Sequence, residues 1–186
     1  MRKFKLQVQT TIDGYMSGPN GEMDWMTLPW SEDLASYIEA LNEPIGTIVL
    51  GRKLAEGFIP HWASQPADEA QEGIDRINNT PKVVISTTLT ESPWENTVVA
   101  SDLVETIREL KAQPGGDIIA YGGGALVASL IAEGLLDELH LIVNPTAIGA
   151  GLPVFGATGS NQQFDLVAAT PFECGIVALQ YAPKKS

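Results

Sequence analysis

The stretch Asp117-Ile118-Ile119-Ala120-Tyr121-Gly122-Gly123-Gly124-Ala125-Leu126 decides how this chain is read. Its apolar start predicts a buried strand, and the pattern from Ala125 to Glu133 predicts a helix. Three glycines join the two. A strand, a glycine turn and a helix N-terminus together make a place where backbone N–H groups can surround a phosphate. Glycine suits that place because a Cβ would hold the backbone away from an anion. The motif is not the GxGxxG dinucleotide fingerprint, and no Lys-Ser or Lys-Thr follows to make a P-loop. Alone it fits a structural turn equally well. Its weight comes from Gly51-Arg52-Lys53 and Ile85-Ser86-Thr87, which also close short apolar runs.

Working outward, Phe4–Thr10 reads as a first strand with Phe4, Leu6 and Val8 on one face, ended by a turn at Asp13-Gly14. A helix starts at Ser31, carries Leu34, Ile38 and Leu41 as an apolar stripe, and stops at Pro44. Thr47–Leu50, Lys82–Ser86, Thr97–Ala100, Ile118–Tyr121 and Glu138–Asn144 read as further strands. Gly51-Arg52 opens a turn or short helix, and 60–66 reads as loop. Helices are expected over 67–78 and 102–113, the second with Asp102 and Glu105 at capping-box spacing. Phe164–Phe172 and Ile176–Ala182 form a closing hairpin. Strand and helix alternate through the middle, which favours an α/β fold with a largely parallel sheet. The last two strands are joined too briefly for a parallel crossover and are expected to be antiparallel. In such sheets ligands bind beyond the carboxyl ends of the strands. The glycine loop, the Gly51-Arg52 turn and the Ser86-Thr87 pair all fall there, which is the case for a cofactor cleft.

Composition narrows the functions. The 186 residues suit one domain over 1–186, and no internal repeat or linker divides them. A net charge of −12 argues against nucleic acid and anionic membrane surfaces as partners. One cysteine, Cys174, excludes an internal disulfide and is compatible with a reducing cytoplasm. No signal peptide or membrane-length apolar run is present, so a cytoplasmic location is expected. His61 and His140 have no paired ligands nearby, so no metal site is expected; His140 reads as a core or interface residue.

Taken together, these motifs resemble the dihydrofolate-reductase-like superfamily. Within it the chain looks most like the stand-alone relatives of the reductase domain of the riboflavin-biosynthesis deaminase–reductase. Thr11-Ile12-Asp13-Gly14-Tyr15-Met16-Ser17 and Gly21-Glu22-Met23-Asp24-Trp25-Met26-Thr27 are similar to that domain's first strand and loop. Ile48–Lys53 resembles the turn that meets the cofactor's 2′-phosphate, and Tyr121–Gly124 the diphosphate loop. Gly134–Leu141 through Pro145, then Gly149–Phe155, is the most specific match.

The resemblance implies a three-layer α/β/α fold with a mostly parallel mixed sheet and an antiparallel C-terminal hairpin. It also implies an NADPH-dependent reductase of a small heterocycle of pyrimidine or pteridine type, and a homodimer. Gly51, Arg52 and Lys53 should lie by the 2′-phosphate, where a guanidinium gives charge-assisted bonds that NADH cannot use. Ser86 and Thr87 should add hydroxyls there, with Lys82 as a nearby cation. Gly122, Gly123, Gly124, Ala125 and Leu126 should present N–H groups to the diphosphate. Gln9, Met16 and Ser17 should flank the nicotinamide. Asp33 is the first candidate for the acid that steers a proton to substrate and Asp13 the second, with burial beside Trp25 raising a carboxyl pKa. Trp25, Asp24 and Trp30 are the candidate substrate contacts.

Each of these residues also has a plainer role open to it. Asp13 precedes a glycine, as turn residues do. Asp33 sits where an acid suits a helix dipole. The tryptophans can anchor a loop or a core. Departures from the family pattern are also visible. Leu54 stands where classical reductases carry a hydroxyl. The run Ala55–Trp62 lacks the acidic and arginine positions with which the riboflavin enzymes hold a ribose phosphate. Dihydrofolate-reductase-type activity, a non-catalytic NADPH-binding protein and a ligand-free scaffold dimer are the alternatives.

Overall fold

Six parallel-running strands and an antiparallel pair give the molecule its frame. In this computed structural model, residues 1–67, 69–122, 124–156 and 161–184 are described. The strands β1 (Phe4–Thr11), β3 (Ile45–Gly51), β4 (Lys82–Ile85), β5 (Thr97–Ala100), β6 (Asp117–Tyr121), β7 (Glu138–Asn144), β9 (Phe164–Pro171) and β10 (Val177–Pro183) form one sheet in the order β5-β4-β3-β6-β1-β7-β10-β9. From β5 to β7 all neighbours are parallel. β10 is antiparallel to both β7 and β9, as the short hairpin connection requires. A second, two-stranded ribbon pairs β2 (Tyr15–Ser17) with β8 (Leu152–Pro153).

Helices cover both faces. Phe4, Leu6, Val8, Val49, Val83, Ile118 and Ala120 point to one side, where they meet Ile107 of α4 (Leu103–Ala112) and Leu126, Val127 and Leu130 of α5 (Gly124–Ala132). Asp102 caps α4, its carboxylate accepting from the Glu105 N–H at 2.8 Å. On the other side Ile48, Leu50, Val84 and Ile119 meet Ala55 and Ile59 of α2 (Arg52–Ala63). Leu34 of α1 (Glu32–Asn42) packs there with Ile142, Phe172, Ile176 and Ala178. The last helix, α3 (Gln71–Asn79), buries Ile74. Both faces of the central strands are therefore removed from water, as parallel sheets require.

Two expectations change. The segment after Gly51 is a twelve-residue helix that runs through Pro60, so 60–63 is helical rather than loop. Proline is tolerated there because the carbonyl it leaves unpaired belongs to the exposed turn at Glu56, where water can take it. Packing of Ala55 and Ile59, with Phe58 stacked on Tyr121 at 5.3 Å, outweighs the local cost. Lys82 also lies elsewhere. It opens β4, four residues from Ser86 and at the opposite edge of the sheet. Its Nζ donates to the carbonyls of Ile77 (2.5 Å), Asn78 (3.3 Å) and Thr80 (2.9 Å), closing the C-terminus of α3. It is a cap, not a phosphate neighbour.

Candidate functional site

The carboxyl edge of the sheet gathers most of the expected site. Gly51 ends β3 in register with Ile85 of β4, and Val49 is in register with Ala120 of β6. Gly122 follows Tyr121, which is in register with Gln7 of β1. Gln9 in turn lies beside Ile142 of β7. Along the edge the order is Ser86, Gly51, Gly122, Gln9, Asn144. Four strand spacings separate the ends, about 19 Å.

Two helix N-termini open onto this edge. Gly51 is the N-cap of α2 and supplies no side-chain cap; α5 begins at Gly124 directly after the glycine turn. Neither helix has an acid in its first turn, whereas α1, α3 and α4 each carry one or two. In a chain of charge −12 that leaves two positive helix ends uncompensated on one edge. Arg52 and Lys53 add cations there. Arg52 Nη1 pairs with Glu56 Oε1 at 2.5 Å, one turn along α2, and the pair is half exposed. Leu54 is half buried in the α2 cluster, so its apolar character serves packing. Ala125 is exposed and Leu126 buried at the start of α5.

The glycines are fixed by close approach. A Cβ on Gly122 would lie 3.1 Å from Met16 Sδ and 3.3 Å from Val8 Cγ1. One on Gly124 would meet Leu152 at 3.2 Å and Met16 at 3.6 Å. The turn thus rests on the β2–β8 ribbon, and Met16 is its floor. Ser17 Oγ donates to its neighbour's carbonyl at 3.1 Å. Gly123 lies outside the described residues. Ser86 is buried, and its Oγ accepts from the N–H groups of Thr88 (3.2 Å) and Leu89 (3.0 Å), so it shapes the loop after β4. Thr87 is exposed.

The carboxylates sit at the rim, and neither candidate acid is buried. Asp33, in the first turn of α1, accepts from the N–H of Leu34 at 2.8 Å and of Glu173 at 3.1 Å. Asp13 accepts from Thr11 Oγ1 at 2.6 Å and from the N–H groups of Gly149 at 2.7 Å and Ile148 at 3.2 Å. Hydrogen bonds to Ser31 and Thr11, respectively, lead in holding both carboxyls below the ordinary carboxylate range. The expectation of a carboxyl raised by burial is therefore overturned: both are exposed and held ionised. Asp24 is exposed in the loop before α1. Trp25 is buried, with its indole N–H donated to the Glu22 carbonyl at 3.1 Å. Trp30 packs on the Leu34–Ile142 cluster, and its buried Nε1 has no partner among the described residues.

Sequence reasoning named Gln9 but missed Asn144 and the rest of the polar face of β1. Lys5, Gln7, Gln9 and Thr11 alternate with Phe4, Leu6 and Val8, and on a strand covered from both sides they too are largely enclosed. Asn144 is wholly buried, and its Nδ2 donates to Gln9 Oε1 at 2.9 Å. Beside them His140 contacts Tyr37 OH and Glu138 Oε2, each at 3.2 Å, and burial pushes its pKa down. The signal was the alternation itself: four polar residues on one face of a strand that topology makes central. A cavity of about 640 Å³ lies at the opposite sheet edge between the end of α5 and the start of β9. None of the candidate site residues lines it. Among the described residues no three His, Cys, Asp or Glu side chains converge to hold a metal.

Comparison with known proteins agrees with this geometry. Residues 2–178 match the model of the RibD C-terminal domain. The uncharacterised protein YyaP of Bacillus subtilis (strain 168) is 31% identical over 183 residues, 97% of this chain and 94% of that one. A solved structure from Shewanella sp. PV-4, whose name assigns it provisionally to riboflavin biosynthesis, superposes with a TM-score of 0.78 at 24% identity, covering 98% of this chain and 99% of the other. Dihydrofolate reductase from Enterococcus faecalis, solved with NADP(H), superposes with a TM-score of 0.67 at 17% identity over 98% and 97%. The fold is that of the dihydrofolate-reductase-like proteins, and this chain belongs to the RibD C-terminal domain family.

Proposed function

We propose that this chain, as one domain over residues 1–186, is an NADPH-dependent reductase of a small pyrimidine- or pteridine-type heterocycle. The observation that carries the reading is the carboxyl edge. Two helix N-termini without first-turn acids, that of α2 also without a side-chain cap, open there, and Arg52 and Lys53 begin α2. Such an edge suits a ligand with phosphates at one end and a neutral ring at the other. The donors present fit the cofactor. Arg52, Lys53 and the N-terminus of α2 would hold the 2′-phosphate, with Thr87 near it and Ser86 shaping the loop. Gly122 to Leu126 would hold the diphosphate. Gln9, Met16 and Ser17 would enclose the nicotinamide. When bound, the cofactor supplies the hydride for a C=N or C=O carbon.

The chain's part is positioning and proton supply. Asp33, held ionised at the mouth of α1, would accept a hydrogen bond from the substrate and orient the water that delivers the proton. Asp13 would act on the same region through the loop it ties to Ile148 and Gly149. Trp25, Trp30 and Asp24 would line the substrate side. The test is loss of the reduced nicotinamide's near-ultraviolet absorbance when NADPH and a panel of dihydrofolate, oxidised pterins, flavin precursors and simple carbonyls are mixed with the protein. Turnover with a heterocycle supports the reading. NADPH binding with no turnover on any of them favours a non-catalytic NADPH-binding protein. That second reading draws on one observation: neither Asp33 nor Asp13 is poised as an acid near neutrality. Preferential turnover of dihydrofolate would favour the dihydrofolate-reductase alternative.

A cytoplasmic location and a homodimer complete the proposal. No helix among the described residues is long and apolar enough to cross a membrane. The edge strand β9 leaves Leu166 and Val167 more than half exposed, as a surface that a second copy would cover.

A further inference from the structure

We propose that the Gln9 side chain is a specificity-determining hydrogen-bond donor, aimed at the carbonyl oxygen of a neutral planar amide, and that Asn144 is the positioning residue that sets this polarity. The inference rests on the reductase reading for the place of the ligand. It adds a side chain and a direction that the reading does not contain.

The direction follows from an unbroken chain of bonds. The Thr27 backbone N–H can only donate, and it donates to Asn144 Oδ1 at 2.9 Å. The other end of that amide, Nδ2, donates to the Ile142 carbonyl at 3.2 Å, which can only accept. Both contacts fix the Asn144 amide the same way round. Nδ2 also donates to Gln9 Oε1 at 2.9 Å, so the outer end of Gln9 must be its NH2. That Nε2 is buried and has no partner among the described residues. A buried donor left unpaired is costly enough to call for a partner.

The surroundings say what the partner is. Gln9 is two residues beyond Gln7, whose strand neighbour Tyr121 ends just before the glycine turn. Gln9 therefore lies at the carboxyl edge, at the place the reductase reading gives to the ligand rings. Gln7 Oε1 and Trp30 Nε1 are likewise buried and without a partner among the described residues, the second on the cluster built around Ile142, the strand neighbour of Gln9. Two donors and one acceptor, all uncharged, suit C=O with an adjacent N–H. They do not suit a carboxylate or a cationic ring. Such a group occurs in a substrate lactam and in the carboxamide of the nicotinamide.

The probes are 2,4-dioxopteridine, 2,4-diaminopteridine and NADPH, titrated separately by fluorescence, with thermal melts to confirm folding. If the ring is the ligand, wild type should prefer the dioxo to the diamino ring. Gln9→Leu should weaken the bound amide roughly tenfold. Loss for 2,4-dioxopteridine alone identifies the substrate lactam; loss for NADPH alone identifies the carboxamide. In Asn144→Asp the new carboxylate cannot donate to Gln9, so the Gln9 amide turns over and offers Oε1. If the ring is the ligand, the pteridine preference then reverses. Gln9→Glu reverses it by a separate route and decides the matter if the first variant does not fold. If the carboxamide is the ligand, both variants weaken NADPH instead. A purely structural pair would show neither change. Wild type that prefers the diamino ring rules out the substrate lactam; wild type that binds none of the probes overturns the proposal, as does Gln9→Leu with unaltered affinities throughout. A protein that follows the pteridine pattern yet never oxidises NADPH would end the reductase reading and leave this one standing.

Discussion

Replacing Glu56 by glutamine should tighten NADPH and leave NADH unchanged. Arg52 is the guanidinium assigned to the 2′-phosphate, and in the free protein it is held by Glu56 at 2.5 Å. Turning to a phosphate means loosening that pair. The pair is an i,i+4 contact with side-chain exposures of 36% and 49%, so solvent screens it heavily. Pairs of this kind contribute about 0.3–0.5 kcal/mol. Glu56→Gln removes that competition and should strengthen NADPH binding about twofold. The same change deletes a helix ion pair, so the free protein should lose up to about 0.5 kcal/mol of stability. Affinity and stability thus move in opposite directions. Arg52→Ala should weaken NADPH roughly tenfold or more, because a charge-assisted bond to phosphate is lost. Fluorescence titration with both nucleotides at low and high salt reads all of this, with melts in parallel. A Glu56→Gln variant that binds NADPH more weakly, or changes NADH equally, would refute the placement of the 2′-phosphate at Arg52.

Three further outcomes are expected. Lys82→Met should cost about 2–4 kcal/mol in urea unfolding, because three carbonyls at the end of α3 lose one charged donor, while NADPH affinity stays the same. Asp33→Asn should lower kcat on the order of 10²-fold. Since the Asp33 carboxyl is held below its ordinary range, the wild-type rate should stay level as pH falls through that range and drop only beneath it. His140 gives a pH dependence of stability. Burial lowers its folded pKa beneath the 6.5 of a free imidazole, so the unfolded chain binds the proton first. The stability is complete above 6.5 and falls as pH descends from there through the folded pKa. His140→Gln should flatten that part of a melting-temperature profile.

Much of the frame was legible in the chain because burial leaves a simple signature. Val-Val-Ile and Ile-Val-Leu runs can only be strands covered on both faces, and the glycines after Tyr121 and before Arg52 mark where they end. The short connection at Glu173–Gly175 dictated the antiparallel pair. What escaped notice has physical reasons too. The ribbon of Tyr15–Ser17 with Leu152–Pro153 is three residues against two, too short to carry a period. Pro60 reads as a breaker, yet its cost falls on an exposed turn and core packing outweighs it. Lys82 looked like a phosphate cation because sequence distance to Ser86 is short, but a strand carries those two residues to opposite edges. Asp13 and Asp33 were legible as polar rim positions; that both are saturated by local N–H and hydroxyl donors depends on the loops at Gly149 and Glu173, far away in sequence. The Gln9–Asn144 bond spans 135 residues and no local pattern announces it.

The account stands or falls on the anion-holding edge, and the direct measurement is a titration of wild type and Arg52→Ala with NADPH and NADH. The account predicts selective NADPH binding by wild type that Arg52→Ala loses, with weak NADH binding alike in both. Equal affinity for the two nucleotides in wild type, or no binding of either, would contradict it, and the glycine turn would then be a packing device that rests on Met16 and Val8.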